Sequence, residues 1–171
     1  MEITKTFYAP SRKEWRAWLK KNYKTEKDIW LVYFNKASGR KRIPYNHAVE
    51  EALCFGWIDS TAKKIDHEKF CQRFSPRNPK SVMSEMNKER VRRLIRQKKM
   101  TKFGMEKIKR HHDSINEKNY QIPEWVVKEL KKDLEVWKNF QRFSDSYKRI
   151  RIGWIVMSSR KETVSCRGSS R

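Results

Sequence analysis

Glycine and proline are scarce, with five of each in 171 residues, and the glycines are not clustered. A phosphate-cradling loop needs several glycines at short fixed spacing, so that backbone N–H groups can close on the phosphate. Their absence removes sequence support for a nucleotide cofactor, and none is expected. Cysteine is sparse too, and Cys54, Cys71 and Cys166 make an odd set. No disulfide framework is implied; a free buried cysteine behaves as a small hydrophobe. No apolar run approaches the length of a membrane span. Residues 1–10 lack the apolar core of a signal peptide. The expected location is the cytoplasm.

Acidic residues are the other shortage: 20 Asp and Glu stand against 42 Lys and Arg, a formal charge of +22. The excess is uneven. From Lys69 to Arg110 fifteen basic residues face Glu85, Glu89 and Glu106, a local net charge of +12. A patch of this kind attracts nucleic acid, anionic lipid or acidic protein. The plainer alternative is a solvated basic helix face. Arg90, Arg92, Arg93, Arg96, Lys98 and Lys99 gather at one helix end, as a phosphate-contacting surface would. Against nucleic acid, no established binding motif is present. The tryptophans also fall at core-like spacings rather than as stacking platforms.

Aromatic residues are plentiful, with seven Trp, eight Phe and six Tyr. They supply a core for a chain of single-domain length. One α+β domain over 1–160 is expected, followed by a polar, frayed tail at 161–171. Ser11-Arg12-Lys13-Glu14 fits a capping box and starts a helix over about 12–22. The run Ile29 to Phe34 reads as a buried strand. Pro44 opens a second helix, which Gly56 closes. Trp57 to Ile65 and Lys69 to Ser75 read as a hairpin, so the N-terminal half holds a small sheet. Ser84 is an N-cap for a helix over 85–97, its inner face carrying Asn87, Val91, Leu94 and Ile95. Thr101 caps another helix, running to about Ile115. Further helical patterns follow from Ile122, from Leu134 and from Ser144 or Ser146. The last has Tyr147, Ile150, Trp154 and Met157 on its apolar stripe. The C-terminal half is therefore helical.

Three polar clusters sit close together between residues 52 and 87: Asp59-Ser60, then Arg73 and Arg77 around Phe74-Ser75-Pro76, then Ser81, Ser84 and Asn87. Burying such groups costs a few kcal/mol each unless partners satisfy them. They are predicted to converge on one polar pocket. A turn at His67-Glu68 pairs Asp66 with Lys69. It places Ser60 and Ala62 on the face of Cys71, Arg73 and Ser75, and Asp59 on the other face with Thr61 and Phe74. Two arginines beside a helix N-terminus suit a small anion such as a carboxylate or phosphate. The structural alternative pairs Asp59 with an arginine and leaves Ser84 to cap its own helix.

Metal and nucleophile patterns are thin. His47, Glu51 and Cys54 share a helix face, but no paired CxxC or HExxH signature is present, so no metal is expected. Ser60 and Cys54 have no base and orienter at a recognisable spacing. An enzyme using Asp59 and Arg73 is the remaining catalytic option.

The blocks ALCFGWIDS (52–60), QRFSPRNPKSVMSEMN (72–87) and RVRRLIRQKKMTKFG (90–104) resemble the bacteriocin-protection, YdeI or OmpD-associated family. Similar stretches lie upstream at Trp15 to Leu19, Ile29 to Val32 and Ile43 to Val49. Others lie downstream at Phe143 to Arg149 and at Gly153 to Ile155 through Lys161-Glu162-Thr163. Val164 to Arg171 departs from the family pattern. The resemblance implies a stress or antimicrobial-peptide protection role without an established reaction, and association with an outer-membrane porin as protein partner. The leading expectation is a non-catalytic role through the polar pocket. The alternative is polyanion binding through residues 69–110.

Overall fold

The computed structural model describes residues 2–116, 118 and 120–168. They divide into two compact units. The first comprises the chain as far as Ser81 together with Arg93–Arg110, and the second comprises Val82–Arg92 and the chain from His111 onward. The architecture is α+β, with a four-stranded sheet in the N-terminal half and helices through most of the C-terminal half. Among the described residues, no helix is long and apolar enough to cross a membrane.

In the first unit, β1 (Thr6–Tyr8), β2 (Ile29–Phe34), β3 (Trp57–Lys64) and β4 (Lys69–Pro76) lie in the order β1-β2-β4-β3. β1 runs parallel to β2, and the β2–β4 and β3–β4 pairs are antiparallel. The apolar run at 29–34 is the predicted strand beside the hairpin, and all six of its residues are buried. Each face of the sheet has its own cover. Ile29, Leu31 and Tyr33 share a face with Phe74. The helix α1 (Arg12–Asn22) lies over it, with the Trp15 ring 5.3 Å from Phe74 and 6.2 Å from Phe7. α2 (Tyr45–Cys54) packs on α1, and Trp15 Nε1 donates to the Ala48 carbonyl at 3.0 Å. On the other face Trp30, Val32, Phe34 and Cys71 cluster, with Ile3 and Tyr8 against them. Their outer cover is basic. Lys63 Nζ sits 5.9 Å from the Trp30 ring centre, and the Arg40 guanidinium 4.6 Å from that of Phe34. Long cationic side chains lay their stems on apolar surface and keep their heads in water.

The register differs from the predicted one. Asp59 pairs with Phe74, so it keeps the expected face, but Ala62 pairs with Gln72 and Lys63 with Cys71. A bulge between Asp59 and Ala62 absorbs the offset and moves Ala62 off the Arg73 face. The predicted helix from Thr101 to Ile115 is broken. It becomes α4 (Lys102–Lys107), a 3-10 turn at Lys109–His111 and α5 (His112–Ile115). Ile108 is buried with φ −99° and ψ 0°, a conformation that ends α4. Thr101 caps α4 as predicted, accepting from Gly104 N at 3.0 Å.

α1 and α2 are joined by a charge network of buried carboxylates and partly exposed arginines. Arg12 Nε lies 2.5 Å from Glu51 Oε1 and Arg12 Nη1 3.0 Å from Glu50 Oε2. Arg16 Nη1 lies 2.5 Å from Glu51 Oε2, and Arg93 takes the remaining Glu50 oxygen. Burial pulls the Arg12 and Arg16 pKa values down, but the bond to Glu51 and its charge outweigh that and hold both above the ordinary value.

In the second unit, α3 (Glu85–Arg96) contributes its first turns. α6 (Glu124–Leu130), α7 (Leu134–Arg142) and α8 (Asp145–Gly168) follow. Asp133 caps α7 through bonds from Glu135 N at 2.8 Å and Val136 N at 3.1 Å. Val126, Phe140 and Ile152 form the core, with Ile122, Leu130, Trp137 and Val156 packed around it. The predicted stripe on α8 is not its buried face. Tyr147, Trp154 and Met157 are exposed, whereas Arg149 and Ile152 are buried. Apolar periodicity admits only apolar residues to the core side, whereas here an arginine paired with Glu89 takes a place there. α8 extends through 161–168 of the expected tail, and 169–171 lie outside the described residues.

Arg73 pairs with Asp28 rather than Asp59, with Nη2 2.6 Å and Nε 3.2 Å from Asp28 Oδ2. Thr4 Oγ1 donates to Asp28 Oδ1 at 3.0 Å. Burial works against the Asp28 charge, but these bonds outweigh it and hold its pKa below the usual carboxylate value. A lowered folded pKa stabilises above the unfolded value of about 3.9, and the gain is lost as pH falls through the folded value. Asp28→Asn should therefore cost about 1 kcal/mol at pH 7, a modest figure because both partners are partly exposed. Chemical denaturation as a function of pH should show the gap between wild type and variant shrinking as pH falls below the unfolded value of about 3.9. A gap that stays constant through the acid range would refute the assignment.

Candidate functional site

Of the seven residues predicted to form a pocket, Asp59, Ser60 and Arg73 bond outside the set, whereas Arg77 bonds Ser81 and Asn87 bonds Ser84. Arg73 serves Asp28, and Asp59, on the opposite sheet face, accepts from the Tyr45 hydroxyl. Ser60 lies in the bulge, its carbonyl accepting from Gln72 Nε2 at 2.9 Å. Arg77 and Ser81 do meet, with Arg77 Nη2 donating to the Ser81 carbonyl at 3.1 Å. In the second unit, Ser84 accepts from Asn87 N at 3.3 Å and so caps α3, while Asn87 Oδ1 accepts from Arg90 Nη1 at 2.7 Å. Arg77 is 4% exposed, its Nε has no hydrogen-bond partner, and burial lowers its pKa. Among the described residues no carboxylate pairs with it.

The predicted basic surface is narrower than the sequence suggests. Arg92 is buried, with Nε 2.5 Å from the Ile115 carbonyl and Nη1 2.5 Å from Glu89 Oε1. It falls on the inner face of α3, where those carbonyl and carboxylate oxygens replace water, so it cannot reach a polyanion. Arg93 is half-exposed and pairs with Glu50. Arg96, Lys98 and Lys99 are exposed.

The densest polar constellation lies in the second unit. Glu85, Lys88, Glu89 and Arg92 recur at i, i+3, i+4 and i+7, which places them on one face of α3. Arg149 and Gly153, four apart on α8, meet that face. Arg149 pairs with Glu89. Gly153 permits the approach: a Cβ there would lie 2.5 Å from Glu85 Cγ and 2.9 Å from Glu85 Cβ. Lys88 Nζ bonds Glu85 Oε1 at 2.5 Å. The nearest cation to Glu85 Oε2 is Arg92 Nη2 at 3.9 Å, beyond hydrogen-bond reach. Glu85 Oε2 and the Tyr120 hydroxyl are thus buried with no hydrogen-bond partner.

Both groups line one cavity of about 200 Å³. Val82, Met83, Pro123, Val156 and Met157 form its apolar wall, and Glu85, Lys88 and Tyr120 its polar one. Tyr120 also lines a second hollow with Lys148 and Arg149. Burial, then the charge of Glu85, push the Tyr120 phenol up to about 12, against the lowering effect of Arg149 and Arg92. Tyr120 is therefore a neutral hydrogen-bonding group at neutral pH. The i, i+3, i+4, i+7 spacing on α3 was a readable signal for this face. Tyr120 lies in a segment without periodicity and offered none.

Neither buried cysteine is poised as a nucleophile. Burial, then the charge of Glu51, push the Cys54 thiol up to about 11, and burial raises Cys71 as well. The Glu51 carboxylate, which sequence spacing places beside His47 and Cys54, is occupied by Arg12 and Arg16. Among the described residues no three His, Cys, Asp or Glu side chains come together as metal ligands.

Gly153→Ala should destabilise the protein. Alanine gains about 1 kcal/mol of helix propensity. Forcing a methyl against Glu85 costs about 1–3 kcal/mol, because the nearest atoms include the Cβ, which moves only with its helix. The difference, a net loss of up to about 2 kcal/mol, should appear as a lower unfolding midpoint in urea. An unchanged midpoint would mean that α3 and α8 separate without cost.

The chain matches two families. Residues 119–164 match the Bacteriocin-protection, YdeI or OmpD-Associated family. That segment carries Tyr120, Arg149 and Gly153 of the cleft and the 143–163 stretches of the sequence resemblance. The blocks at 52–104 fall instead within a match over residues 7–107. Comparison with curated proteins and with solved structures gives no match. The match over 7–107 spans more than half of the 171 residues and takes in all of the sheet but Thr6, with α1 to α4, so the chain belongs to the family described as Domain of unknown function (DUF8412).

Proposed function

We propose that this protein protects against bacteriocins or related antimicrobial peptides by binding rather than by catalysis, and that the cleft between α3 and α8 receives a segment of peptide. The observation that carries this reading is the pair of buried, unbonded atoms, Glu85 Oε2 and the Tyr120 hydroxyl, at an apolar-walled cavity. Leaving such atoms unmade costs about 1–3 kcal/mol each, which a ligand would recover. At about 200 Å³ the cavity is smaller than a drug-sized pocket, and it suits one side chain with its adjoining peptide group. A peptide group offers an N–H to Glu85 and a carbonyl to Tyr120, while an apolar side chain meets Met83 and Val156. A neutral group is favoured because Glu85 and Glu89 are already matched by Lys88, Arg92 and Arg149.

Calorimetric titration with a synthetic amphipathic antimicrobial peptide tests the reading. Tyr120→Phe removes one hydrogen bond without changing the cavity wall and should weaken binding about tenfold, or about 1.4 kcal/mol. Glu85→Gln should weaken it by a similar factor. Affinities indistinguishable from wild type in both variants would reject the cleft.

The anion-binding reading keeps a specific support in Arg77, a buried guanidinium with one carbonyl bond. A buried unpaired charge is costly, and an anion docking beside Ser81 would offset it. Sulfate should then raise the thermal midpoint of wild type by about 2–4 °C per kcal/mol of binding energy, relative to chloride at equal ionic strength. Arg77→Gln should abolish the difference. Equal midpoints in sulfate and chloride for wild type would dispose of this reading.

A further inference from the structure

α8 presents a second face, opposite Arg149, Ile152, Gly153 and Val156. Tyr147, Arg151 and Trp154, at i, i+4 and i+7, line it and are exposed to solvent. They form a continuous row of contacts with Phe143, whose ring is tilted 44° to that of Tyr147. The Phe143 and Tyr147 ring centres are 4.7 Å apart, the Arg151 guanidinium lies 4.9 Å from Tyr147, and the same guanidinium lies 5.8 Å from Trp154. Trp154 is 54% exposed, so it ends the row with a ring open to water.

Three observations fix the kind of partner. The row sets a planar cation between the rings of Tyr147 and Trp154, and exposed rings with a guanidinium are a surface on which nucleobases stack irrespective of sequence. Arg151 has no carboxylate partner among the described residues, so its charge is available to a phosphate. Asp145 is the one acidic residue from 145 to 159 and it pairs with Lys148, which leaves Arg151 as a cation on this face of a chain of net charge +22. An interfacial membrane helix would need its opposite face in water. The opposite face of α8 instead packs on protein, with Ile152 and Val156 in the core.

We propose that the Phe143–Tyr147–Arg151–Trp154 face of α8 is a stacking platform for single-stranded nucleic acid. Bases lie on the exposed rings and phosphates meet Arg151. Duplex is disfavoured because its bases have no free faces. This platform is distinct from the peptide cleft and from the 69–110 segment, and it stands or falls independently of both.

Fluorescence anisotropy with a labelled twenty-nucleotide oligothymidylate at about 0.15 M salt tests it in the full chain. Trp154→Ala should weaken binding about tenfold or more, the loss of one stacked base. Arg151→Lys keeps the charge and removes the planar surface, and it should weaken binding several-fold. Trp125→Ala changes an exposed tryptophan on α6 and should leave binding unchanged. If Trp154→Ala does not fold by circular dichroism, Arg151→Lys decides alone. Wild-type affinity in both Trp154→Ala and Arg151→Lys overturns the proposal, as does equal affinity for duplex. Binding to phosphatidylglycerol vesicles without binding to the oligonucleotide would assign the face to a membrane surface and also overturn it.

Discussion

Two adjacent carboxylates, Glu50 and Glu51, are buried side by side on α2, and the seating of α1 on α2 depends on the guanidiniums that meet them. Neighbouring like charges out of water are unfavourable unless cations meet them. Three guanidiniums do so, and every carboxylate oxygen is engaged: Glu51 by Arg12 and Arg16, Glu50 by Arg12 and Arg93. Because Arg12 and Arg16 are one turn apart on α1, this fixes both the distance and the rotation of α1 on α2. Rotation matters because Trp15, on the same helix, must reach both the Ala48 carbonyl and the Phe74 ring. The end of α2 is tied as well. The Cys54 carbonyl accepts from Thr101 N at 3.0 Å and Thr101 Oγ1 at 2.7 Å, which anchors the start of α4.

The second unit has a charge network of similar composition but different completeness. Glu89 is shared by Arg92 and Arg149, and Lys88 takes one oxygen of Glu85. The other oxygen of Glu85 and the hydroxyl of Tyr120 remain without hydrogen bonds. In the first network all four carboxylate oxygens are bonded, and the buried atom without a partner is a donor, Arg12 Nη2. In the second a carboxylate oxygen is left open beside a cavity, where a ligand gains without displacing a protein partner. That open oxygen, rather than charge density, sets the second constellation apart.

Local pattern made much of the fold readable. The capping box at Ser11, the apolar run at 29–34, Pro44, the Ser84 cap and Thr101 each mark an element boundary found in the structure. Three features escaped for physical reasons. β1 has three residues, too few to show alternation, and exists because β2 offers it an edge. The bulge at 59–62 shifts register by local backbone geometry that side-chain pattern does not encode. The face of α8 was misjudged because periodicity equates burial with apolarity, whereas Arg149 is buried by pairing and Gly153 by close approach. The site suffered from the same equation. Polar clustering along the sequence pointed to residues 59–87, but Arg73 finds Asp28 and Asp59 finds Tyr45, while Tyr120 and Arg149 enter from a distant segment.

The strand order β1-β2-β4-β3 leaves β1 and β3 as the sheet's borders. β1 is three residues long, and β3 is interrupted by its bulge and carries Lys63 and Lys64 beyond it. Short, bulged and charged borders are poor templates for an incoming strand. The sheet therefore offers little to the edge of a neighbouring chain despite its aromatic interior. This also means that an extended peptide has no backbone rail to zip onto here. Any peptide this protein holds must be recognised through side chains and cavities rather than by strand addition.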